Sequence, residues 1–240
     1  MEFLLELVLL ILLCVFCFWL SIIIHELGHL ITGLLHGWKF MLLVVGPIGL
    51  KKEDHKLKLY LEKKLAMWGG VGGTLPSAEQ ADNIRIWSNV LLAGPVVSIV
   101  TGIIFLSLNF IYFSIIFLLL GLISITIGII CLLPFETGIT YTDGKRWSRL
   151  HNGGQGQAEE ISLWNMIMAQ VFNRDMLAIK LDDFAPLLTA KLPAIRYYGY
   201  YYLYQYYSIR NDEKNKQEAL EVLNEMKINV PQIIVDDCKI

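Results

Sequence analysis

Five consecutive residues, His25-Glu26-Leu27-Gly28-His29, have the types and spacing for hydrolytic chemistry. On a helix, residues four apart lie on one face about one turn from each other, so two imidazoles at i and i+4 can reach one zinc ion. The glutamate between them can then act as general base toward a water at the metal, whose pKa the ion lowers toward ~7. As a bare string this pattern recurs by chance, and its setting gives it weight. It follows Leu7–Ile24, where no residue is charged. Ionisable groups at the end of an apolar helix are costly unless partnered, and they mark function by default.

Two histidines leave a catalytic zinc in need of a third protein ligand and an open position. His36 lies seven residues past His29 on nearly the same helical face. That is about 10 Å along the axis against Zn–N bonds of about 2.1 Å, so one helix cannot deliver both. His36 therefore reads as interfacial, and His55 and His151, in polar segments, read as surface histidines. Carboxylates remain: Glu136, just after Pro134, and Asp143, in Tyr141-Thr142-Asp143-Gly144. Residue chemistry leaves both open.

The elements that must position these groups are mostly membrane-like. Of 240 residues, 55% are hydrophobic and only 18% charged, and mean hydropathy is +0.52. A soluble domain carries about 25% charge. From Ile86 to Phe135 no residue is charged, enough for two spans of roughly 20 residues and a tight hairpin. These features exclude a soluble globular enzyme and a disordered chain. A net charge of -2 supplies no footprint for nucleic acid. Cys14, Cys17, Cys131 and Cys238 form no CxxC pair and read as small buried hydrophobes. The N-terminus has no basic leader or small-residue cleavage site, so the first apolar segment is expected to persist.

The expected architecture is a mainly α membrane protein: three spans at about 3–36, 87–107 and 113–133, a β-containing loop at 37–85, and a soluble α-helical domain over 148–240. Within the loop, Lys56–Glu62 alternates apolar and polar residues as a half-buried strand does, and Phe40–Val45 is β-rich. Gly69–Gly73 reads as a turn or a place of close approach. Lysines and arginines crowd the loop 37–85 and the residues after the third span, which puts both in the cytoplasm and the N-terminus outside. Gly153–Gly156 reads as a linker, followed by helices at about 158–172, 175–190, 193–210 and 212–226 that resemble a degenerate tetratricopeptide-like pair. The tyrosines crowding Tyr197–Tyr207 read as helix packing.

On these residues the chain resembles the site-2 proteases, a family of intramembrane zinc metalloproteases. The resemblance rests on HELGH at His25–His29, Ala93-Gly94-Pro95 near the start of the second span, and Leu132-Leu133-Pro134 with Asp143-Gly144 after the third. It covers about residues 3–147, with Gly46-Pro47 and its β-like flanks standing for the family's membrane-associated hairpin. The resemblance implies that His25, His29 and Asp143 bind Zn2+, that Glu26 activates water, and that Cys131 takes the place of an asparagine linked to substrate. No PDZ domain fits in this length. The implied function is a membrane endopeptidase, in a bacterial cell membrane given the compact plan, cutting membrane-spanning or membrane-associated peptides near the cytoplasmic face. A helical substrate must first unwind, and the strand bearing Leu57, Leu59 and Leu61, or Phe40–Val45, is expected to hold it by β-augmentation. The competing readings are an inactive zinc-binding scaffold and a metal transporter. The intact Glu26 opposes the first, and the absence of a second intramembrane ligand cluster opposes the second.

Overall fold

The computed structural model describes residues 2–53, 56–138, 140–172 and 179–238, so His55 lies outside the described residues. It contains two compact units, Met1–Leu133 and Pro134–Ile240. The division falls at Pro134, earlier than the expected change at 147/148.

The first unit is built on α1 (Glu2–Leu35), α2 (Asn83–Tyr112) and α3 (Ile115–Leu132). All three are long and apolar enough to cross a membrane. Leu5, Leu9, Leu12 and Phe16 of α1 are exposed, as are Ile103 and Ile104 of α2. Such a surface belongs against hydrocarbon, so the chain is a membrane protein. Small residues let the helices close on one another. A Cβ at Gly28 of α1 would stand 2.8 Å from the Ala93 carbonyl oxygen of α2, and one at Gly102 would stand 2.9 Å from the Gly121 oxygen of α3. Ser21 and Ser124 are fully buried, and the Ser124 hydroxyl donates to Ser21 Oγ at 2.9 Å, tying α3 to α1. The α2–α3 turn is made at Phe113, whose N–H donates to the Asn109 carbonyl at the helix end.

Between α1 and α2 lies a four-stranded antiparallel sheet of β1 (Lys39–Val45), β2 (Ile48–Glu53), β3 (Lys56–Leu61) and β4 (Val71–Leu75), in the order β3-β2-β1-β4. The sheet runs back along α1. The β1–β2 turn at Gly46 meets the Trp19 ring, and Thr74 of β4 packs on Gly33. The expected strands at 40–45 and 56–62 are present as β1 and β3. β1 is paired on both sides, which leaves β3 and β4 as the sheet's edges.

The second unit comprises α4 (Asp143–Asn152), α5 (Gly154–Val171), α6 (Ala185–Leu188), α7 (Pro193–Ile209), α8 (Glu213–Met226) and α9 (Gln232–Asp237). Thr142 caps α4 by accepting the Lys145 N–H, and Asp212 caps α8 by accepting the Asn215 N–H. Gly153 and Gly154 both adopt positive φ. They form a tight α4–α5 junction with Gln155 and Gly156 already helical, in place of the extended linker expected there. The helix expected at 175–190 lies partly outside the described residues; its described part is a 3-10 turn at Leu181–Asp183 followed by α6. Tyr197, Tyr202 and Tyr206 are buried with Phe184, Leu187, Leu223 and Ile234, so these α7 tyrosines are core. Burial of Tyr198 and Tyr202 pushes both phenols well above the usual tyrosine range.

Candidate metal and catalytic site

The HELGH residues lie in the C-terminal half of α1, where α2 and β4 cover them. His25, Glu26 and His29 are 4%, 7% and 8% exposed, so all three are within the packed interior. Their imidazole planes stand at 79° with centroids 4.9 Å apart. His29 Nδ1 is 2.6 Å from the Val90 carbonyl oxygen. A carbonyl can only accept, so Nδ1 donates and Nε2 carries the lone pair. His25 Nδ1 is 3.0 Å from the fully buried Ser98 Oγ. The two Nε2 atoms then meet at 3.2 Å, a distance that a shared proton or a metal cation must bridge. Two tetrahedral zinc ligands at about 2.05 Å stand about 3.3 Å apart, so the donor set fits zinc.

The bond to Ser98 also sets the site's height. Ser98 lies twelve residues into the uncharged run that begins at Ile86, about 18 Å along α2. The motif therefore stands beside the middle of the apolar segment of α2, deeper than the helix-end position expected from its sequence.

Glu26 faces β4. A Cβ at Gly70 would stand 2.6 Å from Glu26 Oε1, and one at Gly72 would stand 2.8 Å from Oε2. The expected close approach at Gly69–Gly73 is thus made on the Glu26 carboxylate. Gly94 of the Ala-Gly-Pro sequence gives the same room to His29, whose ring any Cβ there would overlap.

The remaining expected residues divide. Asp143 is the first residue of α4, half-buried, where the helix dipole favours a carboxylate. His25 and His29 belong to the first unit and Asp143 to the second. Glu136 instead forms an ion pair with Lys191 Nζ at 3.7 Å. His36 Nδ1 donates to the Thr32 carbonyl at 2.8 Å, and His151 donates to the Trp147 carbonyl at 2.8 Å and stacks on that ring; both histidines are exposed. Cys131 sits in the last turn of α3, half-buried. Leu57, Leu59 and Leu61 lie on β3, 63%, 74% and 75% exposed, at the sheet edge opposite the strand that meets Glu26.

Residues 13–115 match the model of Peptidase family M50. That is the site-2 protease family, so the resemblance carried by the motifs is borne out over this stretch. The M50 match takes in His25, Glu26, His29, β4, Gly94 and Ser98, and it implies an intramembrane metalloprotease of a zinc-dependent family. It ends before α3 is complete and does not reach Asp143. No characterised protein and no solved structure matched the chain.

Ser98 was not anticipated from sequence. A serine in an apolar helix has many uses, and no local spacing ties it to His25, 73 positions away. Partners that orient a metal-binding histidine are worth about 10–100-fold in affinity. Ser98→Ala should weaken zinc binding by that factor in a chelator competition, with the helices intact by circular dichroism. Unchanged affinity would reduce Ser98 to packing.

Proposed function

We propose that the chain is an intramembrane zinc endopeptidase that hydrolyses membrane-spanning or membrane-associated peptides inside the apolar layer, below the cytoplasmic face rather than at it. The observation that carries this reading is the pair of histidine Nε2 atoms converging at 3.2 Å beside a buried glutamate. His25, His29 and Asp143 would hold Zn2+. Bound there, zinc supplies Lewis acidity that polarises a peptide carbonyl and makes water a nucleophile near neutral pH. Glu26 takes the proton from the attacking water and delivers it to the departing amine. Ser98 and Val90 hold the two rings, while Gly70 and Gly72 bring a strand backbone against the base.

A transmembrane helix commits its carbonyls to internal hydrogen bonds, so the scissile segment must be extended when Glu26 acts. β4 is the edge strand at Glu26 and is the natural partner for that segment; Leu57, Leu59 and Leu61 on β3 give an apolar edge to the approaching peptide, with Cys131 as a further contact. The lysine distribution supports an N-terminus outside and a C-terminus in the cytoplasm of a bacterial cell membrane. The helices over about 158–226 are read as two hairpins forming a degenerate tetratricopeptide-like pair.

Zinc per purified chain in detergent tests the ligand set. Wild type and Glu136→Ala should hold one zinc, and Asp143→Ala should lose most of it. A wild-type protein without zinc would remove the enzymatic reading; retention by Asp143→Ala would move the third ligand elsewhere.

A further inference from the structure

This inference rests on the reading that an extended peptide adds to the free edge of β4. In a sheet, residues directly opposite on neighbouring strands share a face, and successive residues alternate faces. A peptide side chain opposite Gly72 therefore lies on the α1 side of the sheet, and one opposite Gly73 on the other side. The two sides are filled differently. At Gly72 an added Cβ would meet the Glu26 carboxylate at 2.8 Å and the Glu26 main-chain oxygen at 3.0 Å. Helix backbone cannot give way there. At Gly73 the nearest atom is Met41 Cε at 2.6 Å, the tip of a flexible side chain, with Leu42 Cγ next at 3.6 Å. Met41 reaches this place because the register of β1 with β4 shifts between Phe40 and Leu42, which makes it an extra residue beside Gly73. Val71 and Leu75, two residues to either side of Gly73, share its face and flank the gap it leaves.

The same sheet shows what such a glycine accepts. Gly49 of β2 is paired with Tyr60 of β3, and the Tyr60 ring covers the place of the missing Cβ. Methionine suits a floor that must adapt, and its sulfur makes favourable contacts with aromatic rings. We propose that Gly73 and Met41 form a specificity site: the bound segment carries a large apolar side chain, best an aromatic ring, opposite Gly73, and a small residue next to it, opposite Gly72. Met41 sets the size accepted. The substrate class is then a membrane-spanning peptide with a small–aromatic pair in the segment that lies along β4.

The test measures binding to the full chain carrying Glu26→Gln in detergent, so that peptide is held and not consumed. Labelled membrane-spanning peptides are scanned along their length with Phe against Ala. One position should favour Phe by about 10-fold or more in Kd, and a position next to it should disfavour Phe. Gly73→Ala should bring the Phe/Ala ratio at the first position to about 1, and Met41→Ala should move the preference from Phe to Trp, each with helix content retained by circular dichroism. The proposal is overturned by a ratio near 1 at every position, or by a preference that neither folded variant changes. Backbone N-methylation of the same peptides tests the reading beneath it, because strand addition predicts losses at alternate positions only. Losses with that period and an unresponsive Phe/Ala ratio reject the inference alone. Losses without that period remove strand addition, and this inference with it.

Discussion

Glu26→Gln should lower cleavage of a membrane-spanning peptide by about 10²–10⁴-fold, the usual value of a general base, while zinc stays bound at wild-type affinity. Glutamine has nearly the shape of glutamate, so it fits the same space beside Gly70, just before β4, and Gly72 within it. The metal-facing atoms keep their supports, since His25 Nδ1 still meets Ser98 and His29 Nδ1 still meets Val90. What is lost is the proton acceptor alone. The measurement is turnover in proteoliposomes, with zinc determined on the same preparation. The two readouts separate the readings: wild-type turnover in Glu26→Gln would take the base role from Glu26. An inactive wild type that holds zinc would favour the scaffold reading.

The parts of the site visible in the sequence are those that follow a local period. The i, i+4 spacing in HELGH needs only a helix, and α1 supplies it. The uncharged run from Ile86 contains the second and third spans, and the alternation at Lys56–Glu62 became β3. Pairing is different. Which strand meets Glu26 depends on the order β3-β2-β1-β4, and nothing within the Leu57–Leu61 alternation encodes that order. β4 gave a poor strand signal because Gly72 and Gly73 have no side chains to alternate, and the Glu26 carboxylate occupies the space beside Gly72. α4 was missed for a similar reason. Its cap, Thr142 before Asp143-Gly144-Lys145, is a legible helix start, but a glycine in the first turn and ten mostly polar residues hide the period. Charge then supplied what hydrophobic patterning could not show: Arg146 and Arg149 hold the helix to α5.

The same logic gives glycine 94 a role that its size alone carries. A Cβ at this position would overlap the His29 ring, including Nε2, the atom assigned to the metal. Neither helix can yield. Gly28, one residue before His29, already places α1 against the backbone of Ala93 and Gly94, with an added Cβ there only 2.9 Å from the Gly94 Cα. In Gly94→Ala the relief must therefore come from the imidazole, which leaves the Val90 carbonyl and turns Nε2 away from its partner on His25. Overpacking of this kind costs about 1–3 kcal/mol of stability, and displacement of a ligand ring should cost zinc at least the 10–100-fold of a lost supporting contact. Gly69→Ala is the control, because no atom lies within 4 Å of a Cβ built there. The decisive comparison is thermal stability in the His29→Ala background, where the ring is gone. There Gly94→Ala should be nearly neutral, since the methyl enters the space the imidazole vacated. A penalty of the same size with and without His29 would place the strain in the α1–α2 backbone contact instead, and the glycine would then serve helix packing rather than the ligand.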